Sequence, residues 1–415
     1  MKYNSIFLLV SLMWVFSCKK NNVIAPPYIP DVILMNTLPL SDTVMKNMEG
    51  IYVLADGSGD LGTEFVCKVS KSKVSFFSNS GGIYIILQYG YNPTNGAIKF
   101  AGFWRYSENT LQGLINLSVA ATEGGSDLIK SGIAQQVTLA GNFSGNNKSQ
   151  QTIKIKFKKP FTQYAVDHEF MIFAHHGVQT MADPPYTENS LNGAIHAQEY
   201  GVNGLEFDVH LTRDHIPICA HDAFIDTRVT KKGPLSGEYL QYNFAFLDFS
   251  VRLSDGEKIP SVEQVLNAFI DSTTLKYMWL DIKGDPDIFK YLEPLVRKAY
   301  AKAAKVNRKV VIFADLTSDK VVSEYESWPG YDSLPTMSEL SLDDAIRHKC
   351  KYWGPRYSLG LLIDEVAKAH SLGIKVISWT LNDQNLIMDY MVNGKFDGFI
   401  SDYPAYVVYD YYKLF

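Results

Sequence analysis

From Gly50 to about Pro160 apolar residues recur at every second position in short runs separated by Gly, Asn and Ser, a pattern that predicts half-buried β-strands. The runs are Ile51 to Ala55, Glu64 to Val69, Ile83 to Tyr89, Ile98 to Trp104, Leu114 to Val119 and Val137 to Phe143. In the last and clearest strand, Ile153, Ile155 and Phe157 alternate with Lys154, Lys156 and Lys158. No helical stretch intervenes, so residues 46–160 are expected to form an antiparallel all-β sandwich or small barrel.

Around Phe161 the period changes. Met171 to Ala174 precedes a helical stretch from Leu191 to Tyr200, Leu205 to Leu211 precedes Val262 to Ile270, and Tyr277 to Ile282 precedes Ile288 to Ala304. The alternation continues through Val310 to Ala314, Leu361 to His370, Val376 to Thr380, Leu386 to Val392 and Phe399 to Ile400. Strands alternating with helices imply an α/β fold with a parallel sheet. Residues 161–415 have the length of a (β/α)8 TIM-type barrel, about 250 residues.

The start of the chain follows neither pattern. Lys2 precedes an apolar run from Ile6 to Val15, too short to span a bilayer, so residues 1–17 read as a signal peptide. Val15-Phe16-Ser17-Cys18 resembles a bacterial lipobox, in which Cys18 becomes the lipidated first residue; the alternative is a plain secretory signal with an incidental Cys. Residues 18–45, with Lys19, Lys20, Pro26, Pro27 and Pro30, read as a tether. The expected location is therefore outside the cytoplasm, lipid-anchored to the cell envelope and facing the periplasm or the exterior.

Composition narrows the function. The 415 residues are 46% hydrophobic and 20% charged, an ordered globular balance. A net charge of −5 gives no basic footprint, so a nucleic-acid partner is not expected. Beyond Cys18, the cysteines Cys67, Cys219 and Cys350 cannot pair completely and have no metal-site spacing.

In Leu205-Glu206-Phe207-Asp208-Val209 a period of two puts both carboxylates on one face, and the outer face of a barrel strand packs on helices. Glu206 and Asp208 should then point inward, where unpaired charge is costly unless a cation neutralises it. Leu280-Asp281-Ile282-Lys283 repeats the arrangement. Three carboxylates from two strands suit a hard divalent ion, Ca2+ or Mg2+. The competing reading is a structural ion pair of Lys283 with Asp281 or Glu206. His175 and His176 close one strand and His221-Asp222 closes another segment, where a barrel carries catalysis. Histidines beside a metal-held phosphate can deprotonate a nucleophile and protonate a leaving alkoxide.

These residues resemble the glycerophosphodiester phosphodiesterase family. Its His-Arg-Gly, Glu-Asn-Thr, Glu-x-Asp, Thr-x-Asp and His-Asp motifs are matched by His175-His176-Gly177, Glu188-Asn189-Ser190, Glu206-Phe207-Asp208, Thr212-Arg213-Asp214 and His221-Asp222. Trp379-Thr380-Leu381-Asn382 and Asp397 to Pro404 match its closing strands, so the resemblance covers roughly residues 170 to 410. It implies a small-molecule phosphodiester substrate, His175 and His221 as acid and base, and Glu206, Asp208 and Asp281 as ligands to Ca2+ or Mg2+. It also implies Lys283 against the phosphate and Trp379 as an apolar pocket wall.

Two departures stand out. His176 replaces the family's phosphate-binding Arg, exchanging a fixed positive fork for a titratable ring, and Asp281 replaces a Glu, shortening that ligand by one methylene. Arg356 is a candidate replacement guanidinium, its alternative being a surface arginine. Two rival functions remain at this level: a catalytically impaired module that binds a phosphate or lipid head group on the same barrel, and a glycosidase using two carboxylates without a metal.

Overall fold

The computed structural model describes residues 22–145, 149–178, 183–330 and 333–415. Cys18 and the expected signal peptide lie outside the described residues.

Eight antiparallel strands form the first domain: β1 (Gly50–Gly57), β2 (Glu64–Ser70), β3 (Lys73–Ser78), β4 (Tyr84–Asn92), β5 (Ala97–Arg105), β6 (Gln112–Val119), β7 (Thr138–Phe143) and β8 (Gln151–Lys159). Each pairs with the next and β1 pairs with β8, so the sheet closes into a barrel with no free edge. Its interior is filled by Tyr52, Phe65, Phe76, Phe100, Ile115 and Leu139, all wholly buried.

The second domain is the expected TIM-type barrel. Its parallel strands are β9 (Met171–Ala174), β10 (Gly204–Leu211), β12 (Tyr277–Ile282), β13 (Val311–Leu316), β14 (Thr336–Ser338), β15 (Tyr352–Trp353), β16 (Lys375–Ser378) and β17 (Gly398–Ser401). The order runs β10-β12-β13-β14-β15-β16-β17-β9, and β9 pairs back onto β10 to close the ring. A short antiparallel strand, β11 (Pro217–Cys219), pairs with the end of β10. Phe173, Tyr277, Trp279, Phe313, Met337 and Ile377 plug the barrel interior, while Leu205, Phe207 and Val209 face the surrounding helices. Polar residues are thereby left at the C-terminal mouth.

The two barrels share a core. Phe77, Tyr84 and Ile86 on the outside of the first pack against Tyr200 and Val408 of the second, and Ser75 Oγ donates to the Glu199 carbonyl at 2.7 Å. The C-terminal helix Pro404–Leu414 lies between them, its Lys413 paired with Glu64. Gly201 turns the chain at φ +75°, and a Cβ there would stand 2.8 Å from the Phe77 ring.

The stretch expected to be a tether is fastened from its first described residues. Ile24 N donates to the Pro184 carbonyl at 3.0 Å, Leu38 pairs with Tyr91, and Ile29 packs on the shared core.

Candidate active site

Parallel register brings the carboxylates together. Glu206 stands opposite Trp279 and Asp208 opposite Asp281 across β10 and β12, with one oxygen of each of the three carboxylates within 4.8 Å of the others. Glu206 Oε1 and Asp281 Oδ1 are buried without a hydrogen-bond partner. Lys283 Nζ sits 2.7 Å from both Asp208 Oδ1 and Asp281 Oδ2, so an ammonium bridges two of the carboxylates. Burial and the neighbouring Asp208 push Glu206 well above the carboxylate range. Burial opposes ionisation of Asp208 too, yet His176 and Lys283 hold it below its ordinary value. Unpartnered buried oxygens, crowded anions and an all-oxygen donor set fit a hard divalent cation held by Glu206, Asp208 and Asp281.

His175 and His176 follow β9 directly. Ser401 is registered with Ala174, which places Asp402 beside His175, and Asp402 Oδ1 lies 2.6 Å from His175 Nδ1. An ionised carboxylate only accepts, so Nδ1 carries the proton and Nε2 is turned toward Glu206, 3.9 Å away. Burial disfavours the charged ring, but the Asp402 hydrogen bond and charge, with Glu206 and Asp208 adding, raise its pKa to about 9. Asn382 Nδ2 donates to the other Asp402 oxygen at 2.6 Å.

His176 adopts φ 48° and folds back so that Nε2 stands 3.3 Å from Asp208 Oδ2. Burial, then the adjacent His175 and His221, depress its pKa to about 4 despite Asp208. So shifted, the ring does not reproduce the fixed positive charge of the family's Arg. Arg356 does not border the cavity: it is exposed and lies over the ring of Trp379, 5.3 Å from its centroid.

His221 lies across the mouth on an exposed loop, its ring 5.1 Å from that of His176. Its Nδ1 lies 3.0 Å from Asp222 Oδ1. Arg228 reaches Asp222 Oδ2 at 2.6 Å and grips Glu188 through two bonds of 2.6 and 2.7 Å. Asn189, next to Glu188, donates to Asp208 Oδ2 at 2.6 Å. Trp379 borders the same cavity of about 410 Å3, its indole held by the Gly354 carbonyl at 2.8 Å. The structure thus gathers His175, His176, Glu206, Asp208, His221, Asp281, Lys283 and Trp379 at one mouth.

Sequence reasoning gave no role to Asp402, Asn189 or Arg228. Asp402 and Asn189 stand inside the quoted motifs, and their signal was there; Arg228 carried none beyond lying seven residues after His221. Asp315 and Glu339, at the ends of β13 and β14, were also missed. Burial pushes both up, with the charge of Asp281 adding at Asp315 and that of Asp315 adding at Glu339, and Glu339 borders the cavity.

A TIM-type barrel with carboxylates and histidines gathered at its C-terminal mouth carries them where barrels of this class carry their active sites. A model of the Glycerophosphoryl diester phosphodiesterase family matches residues 179–406, and the chain belongs to that family. The Bacillus subtilis (strain 168) protein YhdW is 24% identical over 247 residues, 58% of this chain and 97% of that protein. A glycerophosphodiester phosphodiesterase of Caldanaerobacter subterraneus subsp. tengcongensis is 23% identical over 228 residues, 53% of this chain and 90% of that one. Among solved structures, a Parabacteroides distasonis glycerophosphodiester phosphodiesterase is 22% identical with a TM-score of 0.48, covering 60% of this chain and 98% of its own. An Oleispira antarctica phosphodiesterase solved with the product sn-glycerol-3-phosphate is 20% identical with a TM-score of 0.45, covering 59% and 97%.

Proposed function

We propose that this enzyme hydrolyses glycerol-type phosphodiesters to an alcohol and a phosphomonoester such as glycerol 3-phosphate, with His175 and His221 as acid and base. The observation that carries the reading is the flanking of three clustered carboxylates by two histidines, each oriented at Nδ1 by its own aspartate. Each ring so oriented leaves Nε2 to serve the substrate. His175, whose pKa is raised, is suited to hold the proton that the departing alkoxide takes as the P–O bond breaks. His221 is suited to take a proton from the attacking water as its oxygen forms the new P–O bond. Lys283 contributes positive charge to the phosphate oxygens, and Trp379 walls the cavity away from water.

Glu206, Asp208 and Asp281 would hold Ca2+ or Mg2+, an ion that supplies charge neutralisation for phosphate oxygens. The apolar run before Cys18 and the Val15-Phe16-Ser17-Cys18 sequence support export and anchoring to the cell envelope through an acylated Cys18. Among the described residues no helix is long and apolar enough to cross a membrane.

The test is hydrolysis of glycerophosphodiesters by the chain lacking residues 1–17, with glycerol 3-phosphate release measured beside His175→Ala and His221→Ala. Both variants should lose about 100-fold or more in kcat, the usual contribution of a positioned acid or base. Wild-type rates in either variant would remove the histidines from the chemistry.

A further inference from the structure

Arg105 belongs to the first barrel but directs donors at the second domain. It is wholly buried at the end of β5, opposite Tyr84 on β4. Its guanidinium donates to the Asp183 carbonyl and, at 2.9 Å, to the Ile24 carbonyl. Ile24 N donates in turn to the Pro184 carbonyl at 3.0 Å. The N-terminal segment, the first barrel and residues 183–184 thus close on one another around a single side chain. A buried guanidinium is tolerated only where its donors are satisfied, and carbonyls at fixed positions suit its planar fork.

Residues 183–189 run from this clasp into the active site. Pro184 and Pro185 fix their own φ, the Tyr186 ring stacks on His196 with centroids 4.8 Å apart, and Thr187 exchanges hydrogen bonds of 3.0 and 3.2 Å with Asp255. Glu188 then meets Arg228, which also holds Asp222, the partner of His221. Asn189 N donates to the His176 carbonyl at 2.8 Å. Its side chain grips Asp208 twice, Nδ2 donating to Oδ2 at 2.6 Å and Oδ1 accepting from Asp208 N at 3.0 Å. One short, stiff segment therefore sets both a cation ligand and the support of a general base, and its outer end is fastened by the other barrel.

We infer that Arg105 is a positioning residue for the hydrolysis. By fixing residues 183–184 it holds Asn189 against Asp208 and Glu188 against Arg228, which makes the first barrel part of the active-site scaffold. The inference rests on the roles given above to Asp208 and His221. It assigns the first barrel a task inside the reaction, at a distance from the reacting atoms.

The test compares the full chain with Arg105→Gln, which keeps a donor and removes the fork, by amide hydrogen exchange and by glycerophosphodiester turnover. Expected are lost protection at the Thr187 and Asn189 amides, unchanged protection in β4 and β5, and a loss of about 10- to 100-fold in kcat, the effect of slightly misplaced reacting groups. Arg105→Lys, which keeps the buried charge, takes its place if Arg105→Gln does not fold, with the same expectations. Because Arg105 acts through this segment, adding its substitution to Asn189→Ala should lower kcat by a further factor of about two or less. Unchanged protection at Thr187 and Asn189, wild-type kcat, or fully additive losses in the double variant would overturn the inference. Protection lost equally across β4 and β5 would make Arg105 a stabiliser of its own barrel and overturn it as well. Turnover by the wild type judges the catalytic reading separately, since hydrogen exchange reports on the clasp without it.

Discussion

His175 and Asp402 meet at 2.6 Å across the seam where the last strand of the barrel pairs with the first. Closing the barrel and orienting the histidine are thus one event, since Ser401 opposite Ala174 brings the two side chains together. Asp402→Asn removes the charge and keeps the shape. The His175 titration, followed by NMR of its ring, should then fall from about 9 toward its ordinary 6.5. Because the folded pKa is raised, the folded chain holds this proton more tightly than the unfolded one. The stabilisation is complete below about 6.5 and is lost as pH rises through about 9. The melting temperature of wild type should exceed that of Asp402→Asn at pH 6, with the gap narrowing above pH 9.

Arg228 joins Glu188, which is 4% exposed, to Asp222, the orienting partner of His221. Arg228→Ala removes the guanidinium that pairs with a buried carboxylate and should cost about 3–5 kcal/mol in denaturant unfolding. Arg228→Lys should recover only part of this, since an ammonium cannot bridge both oxygens of Glu188 and reach Asp222.

The continuous core between the barrels predicts one calorimetric unfolding transition in place of two. Gly201→Val adds a branched side chain against Phe77 at a positive φ, and should lower stability by about 2–4 kcal/mol, overpacking and backbone strain together. Two separate transitions in the wild type would show that the barrels unfold independently.

His176→Arg restores the charged fork of the family motif. A charge-assisted hydrogen bond is worth about 1.5–3 kcal/mol, so KM for a glycerophosphodiester should fall by about tenfold or more. An unchanged KM would mean that the phosphate is held elsewhere.

The alternation in β10 and β12 made the inward carboxylates legible, because one outer face packed on helices leaves only one direction for charge. The motifs around His175 and His221 were legible for the same reason: they close strands at the mouth. Three strands were not. In β3, Phe77 and Ser75 face the second barrel and Phe76 the first, so both faces are buried and no polar alternation survives. The strands β14 and β15 have three and two residues, too few for any period to show. Arg228, Asp315 and Glu339 were hidden because their importance lies in partners distant along the chain. The sequence alternatives of sandwich or barrel for the first domain resolve to a closed eight-stranded barrel, a choice set by the pairing of β1 with β8.

The most direct measurement is glycerophosphodiester turnover by the chain lacking residues 1–17 after chelation with EDTA, then with Ca2+ or Mg2+ restored, for wild type and Glu206→Gln. Expected is activity lost with the chelator, regained with the ion in wild type, and not regained in Glu206→Gln. Full activity in EDTA, or undiminished activity in Glu206→Gln, would contradict a cation held by Glu206, Asp208 and Asp281.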